Sequence, residues 1–203
     1  MAPSSPLVVK MVGMKRRQLS WQRGVWIIIG VSGSGKSVVG RLLSERLDCD
    51  FLEGDRRHPL ANIKKMISLK PLENEDRRHW LRNIEADIQR AIVLKREAVI
   101  TCSCLKSIYR KKLASLGPVQ LVWLTVPEEE LEQRLANREH HFMQSEMLKS
   151  QLATFEPITS GEHVIIVNGV LSPREIVEEL MRQAAQIYPE LQLSWWQRCG
   201  MRE

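Results

Sequence analysis

Eight consecutive residues, Gly30-Val31-Ser32-Gly33-Ser34-Gly35-Lys36-Ser37, follow the spacing G-x-x-x-x-G-K-[ST]. Glycines at those places let the backbone curl until successive N–H groups converge on phosphate oxygens, and a helix opening behind them adds its partial positive charge. A lysine at the end of the curl reaches the β- and γ-phosphates, and the hydroxyl after it holds a magnesium ion. The chemistry such a loop serves is the binding of ATP with Mg2+ for phosphoryl transfer. All eight residues, from Gly30 to Ser37, are therefore candidate nucleotide contacts, with Lys36 as the catalytic cation and Ser37 as a metal ligand.

Binding ATP does not define a function, because motor, switch and kinase domains share this loop. The next informative residues are Glu53-Gly54-Asp55, which end a second β-rich run. Carboxylates at the C-terminal edge of a parallel sheet stand where ligands of such folds bind. Glu53 suits the water shell of the magnesium, and Asp55 suits a hydrogen bond from the attacking hydroxyl or the uptake of its proton.

The elements that must position these groups are readable from periodicity. Apolar β-rich runs recur at Val25 to Ile29, Asp50 to Leu52, Ala98 to Cys102, Val119 to Leu124 and His163 to Val167. Between them lie segments of helical pattern: one from the loop to about Leu47, one with Trp80, Ile84, Ile88 and Ala91 in step, one from Glu128 to Arg138, and one with Ile176, Leu180 and Ala184 in step. Strands alternating with helices predict an α/β chain with a five-stranded parallel sheet and helices on both faces. With the phosphate loop after the first strand, this is a P-loop NTPase fold. The polar, aromatic-bearing stretch Glu139 to Met143 lies between helices late in the chain, where a helical lid is expected.

At 203 residues and 43% hydrophobic content, one well-cored domain is expected, over 25–188, with a C-terminal tail, 189–203, that carries Trp195 and Trp196. The apolar runs are far shorter than the roughly 20 residues of a membrane span, so no membrane partner is expected. Lys and Arg number 30 against 24 Asp and Glu, but Lys10, Lys15, Arg16, Arg17 and Arg23 fall in the acid-free segment 1–24. Setting those five aside leaves 25 basic residues against 24 acidic ones, so the body lacks the broad basic face of a nucleic-acid binder. The basic arm reads as a disordered extension, with a mitochondrial transit peptide as the minor alternative to a cytoplasmic protein. Cys49, Cys102, Cys104 and Cys199 fit neither a disulfide framework nor zinc-ligand spacing.

Further motifs in one order give the chain a closer likeness: G-D-x-x-H-P at Gly54 to Pro59, N-I-K-K-M at Asn62 to Met66, D-R at Asp76 and Arg77, W-L at Trp80 and Leu81, C-S-x-L-K at Cys102 to Lys106, Y-R at Tyr109 and Arg110, R-x-x-H-F-M at Arg138 to Met143, and S-Q at Ser150 and Gln151. Together with the phosphate loop, these resemble the gluconate kinases over about Val25 to Ala185. The resemblance implies ATP-dependent phosphorylation of D-gluconate to 6-phospho-D-gluconate. It also implies an acceptor pocket of Asp55, His58, Arg77, Lys106 and Arg110, and lid arginines Arg134 and Arg138. A carboxylate with a row of hydroxyls is complementary to Arg, Lys and His donors beside one acceptor carboxylate. A homodimer is compatible with proteins of this kind.

The chain departs from the family pattern at Glu53, Leu69, Asn74, His79, Cys104, Lys111, Val126 and His140, where Asp, Gly, Asp, Pro, Ala, Asp, Gly and Gly are usual. These changes gather around the acceptor pocket and lid while the phosphate loop is intact. An alternative reading follows: a nucleotide-binding paralogue with impaired catalysis that acts as a regulatory or interaction module.

Overall fold

In the computed structural model, which describes residues 24–68, 70, 72–137 and 142–192, five parallel strands form one sheet in the order β2-β3-β1-β4-β5. They are β1 (Val25–Ile29), β2 (Asp50–Glu53), β3 (Ala98–Cys102), β4 (Val119–Thr125) and β5 (Val164–Asn168). Each lies within one residue of its sequence-predicted bounds at either end. Helices α1 (Lys36–Leu47), α2 (Leu60–Ile67), α3 (Asn74–Val93), α4 (Ser107–Ala114), α5 (Glu128–Ala136), α6 (Phe142–Thr154) and α7 (Pro173–Ile187) link and follow the strands.

The sheet is covered on both faces because its strands are apolar at successive positions, which suits a parallel sheet with no solvent side. Alternation splits β1 between two cores. Val25, Ile27 and Ile29 meet Trp80, Ile84 and Ile88 of α3, Leu113 of α4 and Leu131 and Leu135 of α5. Trp26 and Ile28 meet Val39 and Leu43 of α1 and Ile176, Val177 and Leu180 of α7. The central strand is thus buried throughout, and its C-terminal end delivers the phosphate loop to the edge of the sheet.

Helix starts follow local chemistry. At α7, Ser172 Oγ accepts from the Glu175 N–H while the Glu175 carboxylate accepts from the Ser172 N–H, a reciprocal cap reinforced by Pro173 at the first helical position. Packing runs slightly past the expected domain end. A 3₁₀ turn, Pro189–Gln192, buries Leu191 beside Tyr188, so the body extends four residues into the segment read as tail. The arm 1–23, the tail from 193 with Trp195 and Trp196, and Leu69, Arg138 and His140 lie outside the described residues. Among the described residues, no helix is long and apolar enough to cross a membrane.

Candidate active site

The loop from Gly30 to Gly35 runs from the end of β1 to the start of α1. Gly33 and Gly35 have φ of 83° and 89°, left-handed values that L side chains avoid, which is why glycine is needed there. The Lys36 ammonium donates to the Val31 carbonyl at 2.8 Å, lying back across the loop it closes. Ser37 Oγ donates to Glu53 Oε1 at 2.8 Å, and Thr101 Oγ1 donates to the same oxygen at 2.6 Å.

That arrangement fits a magnesium ion. A hydroxyl whose proton is given to Glu53 keeps its lone pairs for a cation, and the carboxylate stands beside it. Among the described residues, no cluster of three or more His, Cys, Asp or Glu forms a protein cage for a metal. Two hard oxygens suit an ion that keeps water and phosphate ligands, as magnesium does.

Asp55 sits in a 3₁₀ turn, Gly54–Arg57, pressed onto β3. A Cβ on Gly54 would lie 2.0 Å from the Thr101 carbonyl oxygen, so only glycine lets the chain pass. Trp80 Nε1 donates to the Gly54 carbonyl at 2.8 Å, and Arg57 is held to Asp87 at 2.6 Å, which fixes the turn against α3. His58 follows, its ring stacked on Trp80 at 4.8 Å with planes 5° apart. The Asn62 amide donates to the Asp76 carbonyl at 2.8 Å and stands 3.3 Å from His58 Nδ1. The nitrogen facing Asp76 is thereby the amide nitrogen, and its second hydrogen faces Nδ1. The imidazole accepts there and carries its proton on Nε2. Burial pushes the His58 pKa below its ordinary value; Asp55 pulls it up and Arg77 adds to the lowering. A neutral ring with a donor at Nε2 is the result.

These residues share one cleft of about 630 Å³, whose wall includes Ser32, Lys36, Ser37, Asp55, His58, Arg77 and Lys106. Lys106 Nζ donates to Asn74 Oδ1 at 2.8 Å, and Tyr109 Oη donates to the same oxygen at 3.3 Å. The departure at Asn74 therefore leaves Lys106 on a neutral amide, with its full charge facing the cleft. The neighbouring Asp76 is structural: it accepts from Lys65 at 2.7 Å and from the Glu73 N–H at 2.9 Å, and Lys65 holds its carboxyl below the usual range.

One expectation changes. Arg110 does not join the acceptor pocket: its side chain is fully buried, paired with Glu162 at 2.6 Å and donating to the Leu105 and Pro157 carbonyls. A fully buried guanidinium with four of its five N–H groups committed in this way pins the 157–162 segment to α4 and is shut off from the cleft. Arg134, on α5, pairs with Glu130 one turn away at 2.7 Å and is not part of the described cleft wall. Arg138 lies outside the described residues. Cys102 ends β3 and Cys104 follows it with a φ of 42°, both buried in the core, with no metal group around them among the described residues.

Sequence reasoning gave no role to the α6 face that lines the cleft, Met147, Ser150, Gln151 and Thr154. Polar residues surround that helix (Gln144, Ser145, Lys149, Ser150, Gln151), so no stripe singles out an inner face. Asn62 was visible only as part of a family motif and Trp80 also as the start of a buried helical stripe, and their support of His58 needed the fold.

The chain matches the family described as an AAA domain over residues 25–158. It is 41% identical over 157 residues to a gluconokinase of Gluconobacter oxydans, covering 77% of this chain and 88% of the relative. It is 34% identical over 152 residues to the thermoresistant gluconokinase of Escherichia coli, covering 74% and 87%. Its fold superposes on the crystal structure of a gluconokinase from Sinorhizobium meliloti with a TM-score of 0.75 at 35% identity, covering 84% of this chain and 96% of that one. Identity at this level over most of both lengths, joined to a phosphate loop that opens on the cleft, means that the chain belongs to the gluconokinase family.

Proposed function

We propose that this chain transfers the γ-phosphoryl group of ATP to D-gluconate, giving ADP and 6-phospho-D-gluconate. The observation that carries the reading is the single cleft in which Lys36 and Ser37 of the phosphate loop face Asp55, His58, Arg77 and Lys106. The phosphate loop and the residues read as the acceptor side, three donors and one carboxylate, thereby open onto the same space.

In this reading the backbone N–H groups of residues 30–37 hold the phosphates, and Lys36 leaves the Val31 carbonyl to draw off negative charge as the transferring group loosens. Ser37 and, through water, Glu53 would hold magnesium, which would supply neutralising charge to the phosphate oxygens. Asp55 accepts the proton of the attacking 6-hydroxyl. Arg77 and Lys106 pair with the gluconate carboxylate, and the Nε2–H of His58 donates to a sugar hydroxyl. Arg134 and Arg138, on and beyond α5, are the arginines that lid closure would bring toward the phosphates. Such a chain belongs in the cytoplasm, where ATP and a free sugar acid are available, and serves carbohydrate metabolism.

The alternative of a nucleotide-binding module without catalysis is not favoured, since the departures leave the lysine, the metal hydroxyl and the acceptor carboxylate on one wall. The test is ADP release by the full chain with gluconate, other aldonic acids, shikimate and nucleosides as acceptors. Turnover with gluconate well above the rest supports the proposal; ATP binding without turnover on any acceptor overturns it.

A further inference from the structure

Gln151 of α6 lies 119 positions along the chain from the phosphate loop, yet its Oε1 accepts from the Ser32 N–H at 2.6 Å. Backbone N–H groups in a loop of this kind are phosphate donors. An oxygen at that distance stands where a phosphate oxygen would stand. Gln151 also lines the cleft that holds Lys36, Asp55 and Arg77, and Ser32 lines it too. The transferring group must lie between the loop and Asp55, so the phosphoryl group that meets Gln151 is the γ-phosphoryl, not the β.

We propose that Gln151 is a ligand of the transferring γ-phosphoryl group and that, without nucleotide, its carboxamide oxygen stands in for that group at Ser32. One N–H cannot serve two oxygens along one direction, so ATP displaces Oε1. A carboxamide carries an acceptor and a donor on the same carbon, and half a turn about its terminal bond exchanges them without moving the helix. Nε2–H then donates to the phosphate oxygen that has taken the Ser32 N–H. ADP, which has no γ-phosphoryl group, leaves the stand-in contact in place. Gln151 thus couples α6 to the phosphorylation state of the nucleotide. This rests on the reading of residues 30–37 as the nucleotide site and of Asp55 as the acceptor-side carboxylate, and not on which acceptor is used.

The test is calorimetric binding of ADP and of a β,γ-imido ATP analogue, each with magnesium and without acceptor, to the full wild-type chain, Gln151→Glu and Gln151→Met. The Gln151→Glu carboxylate still accepts from Ser32 but repels a γ-phosphoryl, so binding of the analogue weakens about tenfold or more while ADP changes less than about threefold. Gln151→Met has similar length and no donor, so it lowers the preference for the analogue over ADP and keeps the fold even if the acidic variant does not. A merely structural tether moves both nucleotides together. Equal changes for the two nucleotides, or none, in the folded variants overturn the proposal. Wild-type protein that binds neither nucleotide overturns it together with the reading of the loop.

Discussion

Asp55 and Glu53 are two residues apart, but their surroundings assign them different work. Glu53 is engaged by two hydroxyls, Ser37 and Thr101, whereas Asp55 lies on the cleft wall beside His58 and Arg77. Asp55→Asn keeps the size and removes the charge, so kcat for gluconate falls about 10²–10⁴-fold with ATP affinity nearly unchanged. Glu53→Gln instead raises the magnesium concentration needed for half-maximal rate. Separate titrations of magnesium and gluconate on both variants check the contrast; equal, mild effects on kcat count against it.

Arg110 shows what a motif alone cannot tell: Tyr109-Arg110 is a family signature, and a basic residue near an acidic substrate invites a binding role. Its burial with Glu162 makes it structural instead. Arg110→Met leaves a buried carboxylate uncompensated and lowers stability by about 3–5 kcal/mol, with little change in the KM for gluconate of the folded fraction. The Arg110 guanidinium also holds the Glu162 carboxyl below its ordinary pKa. A folded value below the unfolded one means that this stability is complete above the ordinary carboxylate range and is lost as pH falls through the folded value. Urea melts of wild type from neutral to acid pH therefore show a decline that is shallower in Arg110→Met.

At the scale of elements, strands were legible almost to the residue because five runs of β-branched and apolar side chains are separated by helical pattern. Helices α2 and α4 were not read, for each has only 8 residues, too few for a 3.6-residue period to stand out. Glu53 to His58 was legible as chemistry but not as a 3₁₀ turn clamped between Thr101 and Trp80, because that clamp joins residues far apart in sequence. Gly54→Ala tests it. The added methyl meets a backbone carbonyl rather than a side chain that can move aside, so stability falls by about 1–3 kcal/mol and turnover falls with the displaced Asp55. Thermal melting and kcat measured together check this; an unchanged melt and rate would show that the turn is free to shift.

For the whole molecule, alternation of strands and helices gave the α/β class, but strand order decided the site. Because β3 lies between β1 and β2, the phosphate loop and the Glu53 carboxylate meet across the end of β3, where Thr101 holds Glu53. No local pattern in the sequence states that order. The central claim is that this cleft passes phosphate from ATP to gluconate, with Lys36 indispensable to the step. Phosphorus NMR of the full chain with ATP, magnesium and gluconate follows every phosphate at once. The account predicts a new phosphomonoester signal, split into a triplet by the two protons of a CH2–O–P group, growing in step with ADP and absent with Lys36→Ala, which melts like wild type. ATP left intact, ATP converted only to ADP and inorganic phosphate, or a Lys36→Ala variant as active as wild type would contradict it.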